Sequence, residues 1–179
     1  KTSGWESGKV YCLNDSISTS GDCMVFDNNN VVLDGRGYNI TGDGGSADYG
    51  VEINGYNNIK IDNCSLFDFG RAINIIGDSD FFNVTNNIIN DTVYGIYVYP
   101  TLYANGSSII KNNISYSSQG GIYLASGDSC DILNNTVWNS HDGINIQGND
   151  DSNVKNNLIY NNTNIGLITN GGRSNVYQN

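Results

Sequence analysis

The sequence predicts an all-β fold: a right-handed parallel β-helix, or solenoid, of about seven coils with 22–26 residues per coil. Three observations predict it. One string of residues returns at near-constant spacing, apolar residues within it alternate with a period of two, and no segment carries a sustained helical period.

The repeat sets the unit. Residues 86–98 read NNIINDTVYGIYV, and related strings return at 112–124 (NNISYSSQGGIYL), 134–146 (NNTVWNSHDGINI) and 156–169 (NNLIYNNTNIGLIT). The first apolar residue after the glycine-like position falls at Val51, Ile73, Ile96, Ile122, Ile144 and Leu167. The steps are 22, 23, 26, 22 and 23 residues (73−51, 96−73, 122−96, 144−122, 167−144). The 26-residue step contains PTLYANG, residues 100–106, a natural place for a longer turn.

Each unit reads as strand, turn, strand, turn. Along the repeated strand the aliphatics alternate with Glu52, Asn74, Tyr97, Tyr123 and Asn145, which places these five on the opposite face from the aliphatic core. A unit this short, without a helix, cannot bury a face alone. Stacked parallel coils, about 4.8 Å apart, bury a continuous one. The paired asparagines belong at a turn, where asparagine accepts positive φ and bonds along the stack. The glycines before the strand are expected to relieve a corner where the backbone bends. Residues 1–42 form an opening module with the first coils, 43–172 the regular repeats, and 173–179 (RSNVYQN) match the start of a further coil, as in DSNVKNN at 151–157.

Residues 11–42, YCLNDSISTSGDCMVFDNNNVVLDGRGYNITG, resemble the opening module of right-handed β-helix proteins with the pectin-lyase-like fold, VVLDGRGYNI at 31–40 being the most specific piece. With the NN and GI coils, nearly the whole chain is similar to the NosD-type, PbH1-repeat secreted proteins of archaea and bacteria. The resemblance implies the fold and an extracellular or cell-surface location. It does not imply one activity, because this fold hosts lyases, hydrolases, adhesins and structural proteins.

Composition narrows the function classes. The chain has 179 residues, 31 asparagines, 22 glycines and one proline, and a net charge of −10 with only eight Lys plus Arg. No basic stripe exists to bind nucleic acid, and no apolar run is long enough to span a bilayer. Asn-x-Ser/Thr acceptors stand at Asn14, Asn39, Asn63, Asn83, Asn90, Asn105, Asn113, Asn134 and Asn161, a density that fits an exported glycoprotein.

Four cysteines, without a CxxC pattern, are read as follows. Cys12 and Cys23 flank a short turn-like stretch and are expected to form a disulfide. Cys64 and Cys130 lie about three layers apart, roughly 14 Å along the axis, too far to pair. Cys64 is read as a small buried residue, and Cys130 as buried, free or intermolecular. A catalytic thiol is not expected, since nothing places the only histidine, His141, near a cysteine.

No catalytic residue is assigned. β-Helix enzymes use clustered carboxylates; here Asp78 and Asp80, Asp128 and Asp131, and Asp150 and Asp151 recur at one turn, and Asp142 follows His141. The hydrolase signatures Gly-His-Gly and Arg-x-Lys are absent, and the aspartates read as solvated turn residues. Asp128, Asp131, Asp150 and Asp151 are the weak calcium candidates, with no GGxGxD motif beside them. The copper-centre maturation associated with NosD finds one His, one Met and scattered Cys here, and no cofactor is expected. Tyr97 and Tyr123 are the candidates for stacking on sugar rings. The expected function is an extracellular structural or surface glycoprotein, joining its own copies head to tail into a filament or coat. The alternative is a carbohydrate-binding or polysaccharide-cleaving β-helix.

Overall fold

The computed structural model describes residues 3–99, 104–125, 129–148 and 151–170 and the backbone of 175–177. Its regular structure there is entirely β: twenty strands, every pair parallel. An eight-stranded sheet runs from Val10–Cys12 to Asn175–Tyr177 and forms one side of the solenoid. The second sheet is twelve-stranded and turns a corner. Short strands such as Ser65–Phe67 and Thr136–Trp138 make its first row, and six-residue strands such as Tyr49–Asn54, Arg71–Ile76 and Asp142–Gln147 make its second. Two twelve-residue strands, Ile88–Tyr99 and Asn113–Leu124, run through both rows.

The repeated aliphatics stack in register. Val51 pairs with Ile73, Ile73 with Ile96, Ile96 with Ile122, and Ile122 with Ile144, and each is at most 1% exposed. Two details depart from the expected spacing. Val32 pairs with Lys60, so that coil is 28 residues long (60−32), beyond the expected range of 22–26. The 26-residue step is not wholly a matter of the turn at 100–106. Thr92 pairs with Ser117 but Tyr94 with Gly120, so Ser118 and Gln119 together face Val93, and this β-bulge supplies one of the extra residues.

Each coil turns its corners with a residue of positive φ, and those residues form columns. One column is Asn63, Asn86, Lys111, Asn134 and Asn156, at φ 55–58°. A second is Asp68, Asp91, Tyr116, Asn139 and Asn161, at φ 50–58°. A third includes Asn58, Phe81, Gly106, Ser129 and Asp151. Asn, Asp and Gly dominate because they enter the left-handed region at the lowest steric cost.

One asparagine of each pair points inward and bonds along the axis: the second at Asn87, Asn135 and Asn157, and the first at Asn112, where Lys111 takes the preceding corner position. The Oδ1 of Asn112 accepts from both N and Nδ2 of Asn87 (3.0 and 2.9 Å). Asn135 does the same for Asn112 (2.9 and 3.0 Å), and Asn157 for Asn135 (2.9 and 3.0 Å). All four are at most 2% exposed. The two consecutive corner positions thus do different jobs: the first (Asn86, Lys111, Asn134, Asn156) takes the left-handed backbone, and the second (Asn87, Asn112, Asn135, Asn157) satisfies buried polar groups that the turn leaves open.

The glycines before the third side are needed for a reason other than the expected one. Gly95 and Gly121 do not have positive φ; the next coil passes too close for a side chain. A Cβ on Gly95 would lie 2.5 Å from the Gly121 carbonyl oxygen and 2.6 Å from Ile114 Cγ2.

The opening coil is covered from within the chain. Trp5, 6% exposed, stacks on Phe26 (4.6 Å, 29°), meets Tyr11 edge-on (4.7 Å, 79°) and donates Nε1–H to the Val25 carbonyl (2.7 Å). The Asp27 carboxylate accepts from the N–H groups of Gly4 (2.6 Å) and Trp5 (2.8 Å), which ties the segment down.

Asn112→Ala removes an acceptor for two buried donors, so we expect a loss of about 3 kcal/mol in urea unfolding, against about 0.5 kcal/mol or less for exposed Asn39→Ala. Equal losses from the two variants would contradict the ladder's role.

Candidate functional site

The row Glu52, Asn74, Tyr97, Tyr123 and Asn145 lies in one register on the third side, as the alternation predicts. It is not an open surface. Glu52 and Asn145 are 9% exposed and Asn74 is fully buried, although all three face away from the aliphatic core.

Arg71 explains part of this. Its guanidinium lies 3.9 Å from the centroid of the Tyr97 ring and 5.5 Å from that of Tyr49, and its Nη1 donates to Asn74 Oδ1 at 3.0 Å. Tyr97 stacks in turn on Tyr123 (5.1 Å, 10°). Tyr94 meets the Tyr97 ring edge-on at 5.0 Å, and Tyr99 stacks against it at 6.1 Å. Arginine and aromatic rings therefore form a column along the solenoid axis, held by cation–π and stacking contacts. Burial pushes the hydroxyls of Tyr97 and Tyr123 up from the ordinary tyrosine pKa, so both remain neutral donors at physiological pH. The Asn74 Nδ2 has no hydrogen-bond partner, an unusual state for a buried amide. Sequence reasoning found Tyr97 and Tyr123 but missed Arg71, Tyr49 and Tyr94. The residue three positions before the ladder residue was the available signal: Tyr49, Arg71 and Tyr94 occupy it in successive coils.

A second aromatic column stands on the neighbouring side. Trp138 stacks on Tyr160 (5.9 Å, 8°) and donates Nε1–H to Asn113 Oδ1 (3.1 Å), and Tyr116 meets it edge-on (5.3 Å, 65°). The 22-residue spacing from Trp138 to Tyr160 is the sequence signal for this column.

The carboxylates are spread among coils and tied to structure. Asp80 Oδ1 accepts the Asn105 N–H (2.8 Å), and Asp131 Oδ1 accepts from Asn153 Nδ2 (2.8 Å). Asp142 accepts from Asn164 Nδ2 (2.7 Å) and lies 3.4 Å from His141 Nδ1. Of the four calcium candidates, Asp128 and Asp150 lie outside the described residues. Asp131 and Asp151 do not stack on each other, because Asp151 follows Ser129 in its turn column. Among the described residues no group of three or more His, Cys, Asp or Glu side chains is placed to hold a metal ion.

All four cysteines are free thiols. The expected Cys12–Cys23 bond is not formed, and the geometry shows why. Cys12 is exposed and ends a strand of the first side, in register with Asp34. Cys23 is buried at the start of the third side, beside Met24, which pairs with Val51 of the core. The second side of the coil separates them. Cys64 replaces the inward asparagine at the foot of the ladder: its N–H donates to Asn87 Oδ1 at 2.9 Å. Cys130 occupies a corner position shared with Ser107 and Ser152, and its N–H reaches Ser152 Oγ at 3.3 Å. Burial pushes the thiols of Cys64 and Cys130 up to about 12.

With this geometry in view, comparison with known proteins is decisive at the level of family. Residues 5–179 match the family described as periplasmic copper-binding protein (NosD). The chain belongs to the NosD family. NosD proteins are periplasmic or extracellular, which agrees with the location expected from the sequence, and among the described residues no helix is long and apolar enough to cross a membrane. No curated protein and no solved structure gave a significant match.

The thiol assignment predicts a simple titration. Only Cys12 should react quickly with a disulfide reagent in the native protein, and four thiols should react after unfolding. Because the folded pKa of Cys64 and Cys130 lies above the unfolded value of 9.0, their contribution is complete below pH 9 and is lost as pH rises from 9 towards 12. Cys130→Ser, which matches its column neighbours, should blunt that alkaline loss. Two reactive thiols missing from the unfolded chain would restore a disulfide.

Proposed function

We propose that this NosD-family chain is a structural solenoid of the cell exterior, a rigid module that carries glycans at its turns and associates with further copies along its axis. The observation that carries this reading is how the polar and aromatic side chains are used. Arg71, Tyr97 and Tyr123 stack on one another, the inward asparagines bond to one another, and Asp80 and Asp131 bond along the columns. These contacts run along the axis and do not converge on a reacting centre. Coil after coil offers the same pattern of donors, acceptors and apolar surface, so a coil of a second copy presented in register meets a matching face.

Glycan carriage is supported unevenly across the acceptors. Asn14, Asn39, Asn63, Asn134 and Asn161 are exposed, and their side chains make no hydrogen bond to another described residue. Asn83, Asn90 and Asn113 each accept a side-chain bond from a neighbouring coil, and Asn105 is half-buried. The first five are the acceptors we propose to be used.

The family description names copper, and the donors of this chain do not fit it. Copper(I) needs two or more soft donors converging on one point. Cys64 and Cys130 are buried at different corners with their protons held tightly, and His141 is on another side; Cys12 and Met24 line one pocket at the opening coil, but among the described residues no histidine and no second cysteine joins them there. We therefore derive no copper chemistry for this chain.

Sugar binding at Tyr97 and Tyr123 is the second reading. Stacking already occupies the faces of the Tyr97 ring, so the support for this reading is limited to the ring edges and neutral hydroxyls that remain to meet a sugar.

Electron microscopy of the native protein tests the assembly. We expect rods whose strand spacing of about 4.8 Å continues across subunits, and glycopeptides mapping to the five exposed acceptors. Particles that remain single subunits at every concentration would contradict the assembly, and an unmodified mass from the native source would remove the glycans.

A further inference from the structure

Two local departures from the regular coil fall at the same place. The first is the β-bulge at Ser118 and Gln119, which interrupts the ladder between Ser117 and Gly120. The second is Tyr116. It sits at φ 53° in a corner column otherwise filled by Asp68, Asp91, Asn139 and Asn161. Those neighbours are residue types that tolerate the left-handed region, whereas a bulky aromatic residue there is strained. Neither departure is needed to stack coils, because the coils on either side turn the same corner without them.

Both departures border one groove. It has a volume of about 390 Å³ and is lined by polar side chains that include Asp91, Tyr116, Ser118, Asn139, His141 and Thr163. It is shallow and opens widely to solvent, so it would hold one face of a small ligand rather than enclose it. Tyr116 projects its ring to the exposed surface and packs edge-on against Trp138, which stacks on Tyr160. An aromatic surface therefore adjoins a groove rich in hydroxyl, amide and carboxylate groups. That pairing suits a pyranose, whose C–H face packs on an aromatic ring while its hydroxyls exchange hydrogen bonds with short polar side chains.

The charge selects the kind of sugar. No Lys or Arg lines the groove, Asp91 does, and Asp142 lies 3.4 Å from His141. The chain as a whole carries −10. An acidic sugar would meet like charge without a compensating cation, whereas a neutral sugar diol can donate to the Asp91 carboxylate.

We infer that the Tyr116 groove binds a neutral saccharide. This site is separate from the Arg71–Tyr97 column and does not depend on assembly along the axis.

The test is calorimetry and saturation-transfer NMR on the whole protein with cellotriose, mannotriose, galactotriose and trigalacturonate. At least one neutral trisaccharide should bind saturably and more tightly than trigalacturonate. Tyr116→Gly should weaken that binding tenfold or more. Its melting temperature should stay level or rise, because glycine removes the strained backbone. Asp91→Asn should also weaken binding, and Tyr99→Phe on the other aromatic column should leave it unchanged. Three outcomes overturn the inference: no neutral trisaccharide binds at millimolar concentration, trigalacturonate binds best, or Tyr116→Gly binds as the wild type does.

Discussion

The structure depends on one constraint: each coil must turn its corners directly above the corners of the coil below. A parallel stack has no slack for a corner that drifts, because a shift of one residue turns every following side chain from core to solvent. Two devices hold the corners in place. A column of positive-φ residues sets where the backbone bends, and the Asn87–Asn112–Asn135–Asn157 ladder bonds each bend to the next. The isoleucine core, the aromatic columns and the close passage at Gly95 and Gly121 follow from that alignment. Cys64 and Cys130 belong to the same scheme, as small side chains at positions that neighbouring coils fill with asparagine or serine.

Alignment also decides what remains for function. Residues that suggest chemistry when read singly are drawn into contacts along the axis. Arg71 is a potential anion receptor by type, yet it lies between Tyr49 and Tyr97 and bonds to Asn74. Asp80 and Asp131 resemble members of a catalytic or calcium cluster, yet each serves a turn or a ladder. Function is more legible where the regular pattern is broken at a local cost. The bulge at Ser118 and the strained Tyr116 are such breaks, and both border one groove. The family match gives the chain its setting outside the cytoplasm.

Much of the fold was legible because a solenoid writes its contacts at a fixed spacing. The paired asparagines marked the turns, and Ile96 above Ile73 followed from counting. Features that depend on the distance between coils were less legible. Gly95 reads as a bend in the sequence but is a close approach in the structure. The Cys12–Cys23 pairing looked short along the chain, but a whole side of the coil lies between them. At the outer face, alternation correctly placed Tyr97 and Tyr123 in one row. It did not reveal that they stack on each other, or that Arg71 covers the first ring, since both depend on side-chain direction between coils. Tyr116 was least visible of all, because nothing in a one-letter string marks a backbone dihedral.

The central claim is that corner alignment by the asparagine ladder holds the coils together. Residue-resolved amide hydrogen exchange under native conditions measures it most directly, because the N–H groups of Asn87, Asn112 and Asn135 are bonded to the next asparagine. The account predicts that these turn amides exchange as slowly as the core strand amides of Ile96 and Ile122, opening only with global unfolding. Exchange as fast as that of exposed loop residues such as Asn14 and Asp15, whose amides make no bond within the described residues, would contradict it.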